Sequence, residues 1–288
     1  MIICKMMIKN YQIKKLTPSI GAEIKGLDFT KSLNKSDYDF IYESLIKNQV
    51  IFITNQILSP TSHLNLAKSF GEIESSHPVY PHLKDFPEIV LLENNRDNPP
   101  DTDVWHTDLT FKPNPPFASI LYSLEVPPFG GDTMWANMSD AYETLPQGLK
   151  KDIADLRAIH DMSDFRNNYA IGEKDGLAIK VIEAHNKFGS TIHPLVKKHP
   201  VTGKPHLYVN PGFTNQIVGM NSTDSRRLLN YLYDHMNQPK FQIRYKWSKN
   251  TIAIWDNRCT MHFALADYYP ENRKMHRITI INDSRLKN

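Results

Sequence analysis

Apolar and polar positions along this chain repeat with two periods, a helical one near the front and a strand-like one further on. Between residues 36 and 48, Tyr38, Ile41, Tyr42, Leu45 and Ile46 fall at i, i+3, i+4, i+7 and i+8, which predicts a helix buried along one stripe. Ser36 is placed to cap the free amides at its start. Val50-Ile-Phe-Ile53 is a short β-branched and aromatic run and reads as a buried strand. Ser59-Pro60 predicts a second helix to about Phe70, with Pro at the first helical position and Gly71 at its end. Further helices are expected from Ser139 and over 223–236, where Leu228, Tyr231, Leu232, His235 and Met236 form one stripe.

Strand patterns dominate the rest. Gly130-Gly131 marks a tight turn before the strand start Asp132–Trp135. Short strand candidates recur at 192–197, 205–210 and 240–247, and the last region holds Thr251–Trp255 and His276–Ile281. No internal repeat is visible. Helices at the front and many short strands after them predict one domain over 1–288, mainly β with flanking helices, most simply a jelly-roll barrel with helices packed outside. From Ser163 to Ser190 the chain turns polar and loses its period, with Gly172, Gly176 and Gly189 inside it, so 163–190 is expected to be a lid insert.

Composition narrows the function classes. The 288 residues can bury roughly three quarters of the unfolded surface, so no stabilising staple is needed. With 34 Lys and Arg against 31 Asp and Glu, all scattered, the net charge of +3 gives no reason to expect a nucleic-acid partner. Cys4 and Cys259 lie far apart in the chain and read as free thiols in a reducing compartment. Lys5 interrupts the apolar start well short of the ~7–15 residues of a signal core. No run approaches the ~20 apolar residues of a membrane span, so a cytoplasmic protein without a membrane partner is expected. Homo-oligomerisation as dimer or tetramer stays open.

The candidate chemistry begins at His106-Thr107-Asp108. Pro99-Pro100, Pro113 and Pro115-Pro116 bracket this segment, which reads as a short strand between stiff loops. On an extended chain His106 and Asp108 share a face, and with a second distant His they match the two-histidine, one-carboxylate set that holds non-heme Fe(II). Alone, the pair also suits a surface loop. His262, after the Thr251–Trp255 strand and the Asp256-Asn-Arg258 turn, is the candidate third ligand. His63 and His235 are read as helix packing or surface residues, and His185, His199 and His206 as residues of polar loops. Arg273 and Arg277 share a strand face but stand about 13 Å apart at ~3.3 Å per residue, so they suit two different anions rather than one. Thr133 adds a hydroxyl donor. Two other classes fit part of this set: a zinc hydrolase, for which a second bound acid has no use, and a catalytically silent jelly-roll protein that binds metal or a small acid.

Four phrases carry a resemblance: Trp105-His-Thr-Asp108, Gly130-Gly-Asp-Thr-Met-Trp135, Trp255-Asp-Asn-Arg258 with His262, and Arg273 followed by Arg277. In unbroken order, from Ile20-Gly-Ala-Glu-Ile-Lys-Gly-Leu-Asp28 to about Ile281, the chain resembles the Fe(II)/2-oxoglutarate-dependent dioxygenases of the taurine dioxygenase group. The resemblance implies a double-stranded β-helix, Fe(II) on His106, Asp108 and His262, and 2-oxoglutarate and O2 as co-substrates. It implies Thr133 and Arg273 on the distal carboxylate of 2-oxoglutarate and Arg277 on the acidic group of the primary substrate. His77 and Tyr80 match positions lining the pocket of enzymes that act on taurine, and Phe111 and Phe213 match its aromatic walls. Asp101 or Tyr80 suits the ammonium end, while Thr102 stands where the taurine enzymes carry Asn. The implied reaction hydroxylates taurine at the carbon next to sulfur and yields sulfite, aminoacetaldehyde, succinate and CO2. Another alkyl sulfonate, a sulfate ester or an aryloxy acid remains open as the substrate.

Overall fold

The apolar runs that carry no alternation form the central strands, because both of their faces are covered. Strand β14 (Ile252–Asp256) is buried at every position. Ile252 and Ile254 point to an outer cluster, and Ala253 and Trp255 to an inner one. Its neighbour β3 (Val50–Ile53) divides in the same way, with Ile51 and Ile53 outward and Val50 and Phe52 inward. The structure, a computed structural model, describes residues 11–77, 79–100, 103–162 and 177–286.

The remaining strands of the large sheet are β1 (Gln12–Lys15), β2 (Ala22–Lys25), β4 (His82–Leu83), β5 (Phe86–Asn94), β6 (Ala118–Glu125) and β16 (Arg273–Ile280), in the order β1-β2-β3-β14-β6-β16-β5-β4. The β2–β3 pair is parallel and the other pairs are antiparallel. Helices α1 (Lys35–Asn48) and α2 (Pro60–Lys68) pack on its outer face, where Ile41, Leu45, Leu66 and Ala67 close the outer cluster.

A smaller sheet faces it, built from β13 (Gln242–Tyr245), β7 (Thr133–Asn137) and β15 (Thr260–Ala264). A third sheet orders β12 (Thr214–Ile217), β8 (Arg157–His160) and β9 (Thr191–Pro194). The large and small sheets enclose a jelly-roll core in which Phe52, Trp135 and Trp255 meet edge to face, at ring-centre distances of 5.3 and 5.7 Å. Such pairs contribute roughly 0.5–1.5 kcal/mol each beyond area burial. Among the described residues no helix is long and apolar enough to cross a membrane.

Several local expectations change. The first helix is capped by Asn34, not Ser36: Asn34 accepts from the Asp37 amide while the Asp37 side chain accepts from the Asn34 amide, a reciprocal box that moves the start forward. The 192–197 candidate is two strands, β9 and β10 (Val196–Lys198), and the 205–210 candidate shortens to β11 (Pro205–Leu207). His199 sits in the loop after β10 but is buried, and His206 is buried on β11 rather than in a polar loop. The His106 segment is no regular strand, since its only pairing among the described residues is an isolated bridge to His262 and Asp108 already begins a turn. Of the expected 163–190 insert, residues 163–176 lie outside the described residues. Helix α5 (Leu177–Phe188) follows and buries Val181 and Ala184 with Leu109, Phe111 and Phe213.

Candidate active site

Strand periodicity places the candidate side chains on the inside of the barrel. On β16 the odd positions Arg273, Met275 and Arg277 are buried and point inward, and Met275 joins the inner cluster. On β15 His262 lies opposite the inward Trp135. The bridge that fixes His106 is two backbone hydrogen bonds to His262, 2.9 Å from the His106 amide and 2.8 Å from the His262 amide. Asp108 opens a turn that continues through Leu109, whose φ of 50° is left-handed. Gly212 allows the close approach on the other side: a Cβ there would stand 2.9 Å from His106 Cβ.

His106 Nε2 is 3.8 Å and His262 Nε2 3.7 Å from Asp108 Oδ1, and one donor atom from each of the three residues lies within 4.8 Å of the others. The donor chemistry fits a divalent first-row ion, two imidazoles and one carboxylate being the set suited to non-heme Fe(II). Protonation agrees. Burial works to raise the Asp108 pKa, but Arg277, His262, His106 and the Ser119 hydroxyl hold it well below the usual carboxylate range. Burial and the neighbouring His106 push His262 down to about 3, so its ring is neutral at physiological pH. His106 Nδ1 lies 2.9 Å from the Val104 carbonyl, which only accepts, so Nδ1 carries the proton and Nε2 keeps its lone pair.

These residues line a cavity of about 630 Å3 that also contains Thr133, Arg273, Arg277, His77, Tyr80, Phe111 and Phe213. Both guanidinium groups are buried, and the Nε atom of each has no hydrogen-bond partner among the described residues. Arg277 Nη1 stands 3.6 Å from Asp108 Oδ1, next to the His-Asp-His cluster. Burial lowers the Arg273 pKa from its ordinary value, and Tyr268 offsets part of that. Thr133 Oγ1 accepts from Trp247 Nε1 at 2.9 Å, which leaves the hydroxyl proton to point elsewhere. His77 Nδ1 accepts from the Val79 and Tyr80 amides at 3.2 and 3.1 Å, so a neutral His77 carries its proton on Nε2. Asp101 and Thr102, both expected at the site, lie outside the described residues.

A second cluster, His199, Asp256 and Cys259, has metal-ligand composition, but its imidazole and carboxylate are already engaged. His199 Nε2 bonds Asp256 Oδ2 at 3.0 Å and its Nδ1 accepts from the Val201 and Thr202 amides. Arg258 takes both oxygens of Asp256. It is a structural tie. Sequence reasoning missed Ser119, Asn257, Trp247 and Met162, of which only Asn257 stood inside a quoted phrase. Ser119 and Met162 look like ordinary strand or loop residues until the fold brings Ser119 behind Asp108 and Met162 to the cavity.

Known proteins resemble the whole chain. The alkylsulfatase of Acinetobacter baylyi is 35% identical over 280 residues, covering 94% of this chain and 85% of that protein. The alpha-ketoglutarate-dependent sulfate ester dioxygenase of Pseudomonas putida is 34% identical over 271 residues, covering 92% and 87%. The crystal structure of a taurine dioxygenase from Burkholderia xenovorans superposes with a TM-score of 0.80 at 35% identity, covering 95% of this chain and 90% of that one. The sequence model of the taurine catabolism dioxygenase TauD, TfdA family matches residues 12–279, and the chain therefore belongs to this family of Fe(II)- and 2-oxoglutarate-dependent dioxygenases.

Proposed function

We propose that the chain oxidises an organosulfur monoanion, and that an alkyl sulfate ester suits the pocket best. The observation that carries this reading is Arg277: a buried guanidinium with an unpartnered Nε, beside the His-Asp-His cluster and opening on a cavity walled by Val79, Leu92, Val104, Leu109, Met162 and Phe213. A permanent anion satisfies the guanidinium, and an apolar tail satisfies the walls. The 34–35% identity to two proteins named for sulfate ester chemistry supports the same choice.

In this reading His106, Asp108 and His262 hold Fe(II), which with 2-oxoglutarate and O2 supplies the oxidising power when bound. Arg273 and the Thr133 hydroxyl take the distal carboxylate of 2-oxoglutarate. Arg277 and the His77 Nε2 proton hold the sulfur oxygens and so set which carbon faces the metal ligands. The apolar walls exclude water from the oxidation. Hydroxylation of the carbon that bears the sulfate oxygen gives an unstable hemiacetal ester, which separates into an aldehyde and sulfate.

Taurine is the second reading, favoured by Asp103 and Tyr80 on the cavity lining, where a carboxylate and a phenol suit an ammonium group. The two readings differ in product. The purified protein is incubated in air with Fe(II), ascorbate, 2-oxoglutarate and either hexyl sulfate or taurine, and succinate, sulfate and sulfite are measured. One sulfate per succinate from hexyl sulfate is expected. Sulfite from taurine with no reaction of hexyl sulfate replaces the first reading by the second, and substrate-independent succinate alone refutes both.

A further inference from the structure

Asp108 is held quite differently from the two histidines beside it. His106 donates from Nδ1 to the Val104 carbonyl, and His262 Nδ1 has no hydrogen-bond partner among the described residues. The carboxylate instead ends a buried chain of hydrogen bonds that runs in one direction. Trp255 Nε1 can only donate, and it donates to Asn257 Oδ1 at 2.8 Å. That contact fixes which way the amide faces, so Asn257 Nδ2 donates to Ser119 Oγ at 3.0 Å. With that lone pair engaged, the Ser119 hydroxyl donates to Asp108 Oδ2 at 2.7 Å.

The fold gives this chain little freedom. Ser119 and Trp255 are register partners across β6 and β14, and the Asn257 amide is tied to the Phe117 carbonyl at 2.9 Å. Exposures of 0, 1 and 2% for Ser119, Asn257 and Trp255 leave no room for water to replace a missing member. The Trp255 ring also packs 4.9 Å from the His262 ring, so one side chain supports two of the three candidate ligands.

Building on the assignment of His106, Asp108 and His262 to the metal, we propose that Trp255, Asn257 and Ser119 are positioning residues that keep Asp108 a one-oxygen ligand. Oδ2 is tied to Ser119 while Oδ1 faces both imidazoles. A carboxylate free to turn offers both oxygens and occupies a position that the 2-oxoglutarate chelate needs. Mere bracing of the sheet does not require the contact with Asp108. Ser123, four residues along β6 and equally buried, braces the neighbouring Ser248 and Thr251 carbonyls without reaching the cluster.

The test is a Co(II) titration of the full chain followed by visible absorption, with the melting temperature of each metal-free protein measured alongside. Ser119→Ala and Asn257→Asp are expected to bind Co(II) about 10- to 100-fold more weakly than the parent, with shifted bands. Asn257→Asp keeps the shape but replaces the donor by an acceptor, so Ser119 turns its proton away from Asp108. Ser123→Ala is expected to melt lower and yet keep the parent's Co(II) affinity and bands. Parent-like affinity and bands in Ser119→Ala and Asn257→Asp overturn the proposal. If Ser119→Ala does not fold, Asn257→Asp decides by the same criteria. A parent that binds no Co(II) removes the metal assignment itself, a failure distinct from a parent that binds and a Ser119→Ala protein that binds equally.

Discussion

Replacing Arg273 by methionine tests the anion pocket through two effects of opposite sign. The side chain is 5% exposed, its Nε has no hydrogen-bond partner, and the ring of its aromatic neighbour Tyr268 is centred 5.9 Å from the guanidinium carbon. Exchanging a poorly compensated buried ion for an apolar side chain of similar length is often neutral or stabilising by about 1–4 kcal/mol. The ligand-free Arg273→Met protein is therefore expected to melt no lower than the parent, and higher by about 2–4 °C for each kcal/mol gained. With 2-oxoglutarate the order reverses. Loss of a buried charged contact costs about 2–5 kcal/mol, a dissociation constant roughly 30-fold higher or more. At a ligand concentration of about 100 times the parent's dissociation constant, the parent gains about 2.7 kcal/mol and the variant well under half of that. Scanning calorimetry of both Mn(II)-loaded proteins without oxygen, with and without 2-oxoglutarate, reads the crossing. A variant that melts below the parent in the absence of 2-oxoglutarate, or gains as much from it, refutes the reasoning.

Three further outcomes follow from named contacts. His63 is 1% exposed and burial pushes its pKa to about 3, so below roughly pH 6.5 the unfolded chain binds a proton that the folded chain does not. Its contribution is present above that pH and lost as pH falls; His63→Leu should flatten the loss of stability near pH 5 by up to about 1.4 kcal/mol per pH unit in urea titrations, and an unchanged slope contradicts this. Gly212→Ala puts a Cβ 2.9 Å from His106 Cβ, so it should cost about 1–3 kcal/mol of stability and weaken metal binding, both absent if the loop simply yields. Phe213→Ala opens the apolar wall that rests on Phe111 at 5.2 Å, and should raise KM for the organosulfur acid while leaving the 2-oxoglutarate dissociation constant near the parent's; equal effects on both would place Phe213 elsewhere.

Local periodicity and short-range chemistry were enough for several elements and for the candidate metal ligands, while the long strands β5 and β6 were not predicted. The run Val50–Ile53 is visible because burial of both faces demands it, and the Ser59-Pro60 start because a cap and a first-turn proline suit a helix N-terminus; the helix over 223–236 forms as expected, but its buried stripe is Ser225, Leu229, Leu232 and Met236, with Tyr231 exposed. The inward pairing of Arg273 and Arg277 follows from the two-residue period of β16 alone. His106, Asp108 and His262 were legible as a set because metal chemistry restricts which side chains can serve.

Other features depended on contacts between segments far apart in the chain, which no local pattern records. Asp108 faces the imidazoles from the first residue of a turn and not along a strand. His199 beside Asp256 was invisible as a buried tie until the fold closed over it. Ser119 shows the limit most clearly. Its sequence neighbourhood is an ordinary buried strand, and its place beneath Asp108 comes from the register of β6 against β14. The sequence determines which chemistry this protein can carry, because side-chain types and their periods are local properties. The tertiary structure decides which oxygen of Asp108 faces the imidazoles, because that depends on the pairing of strands more than a hundred residues apart.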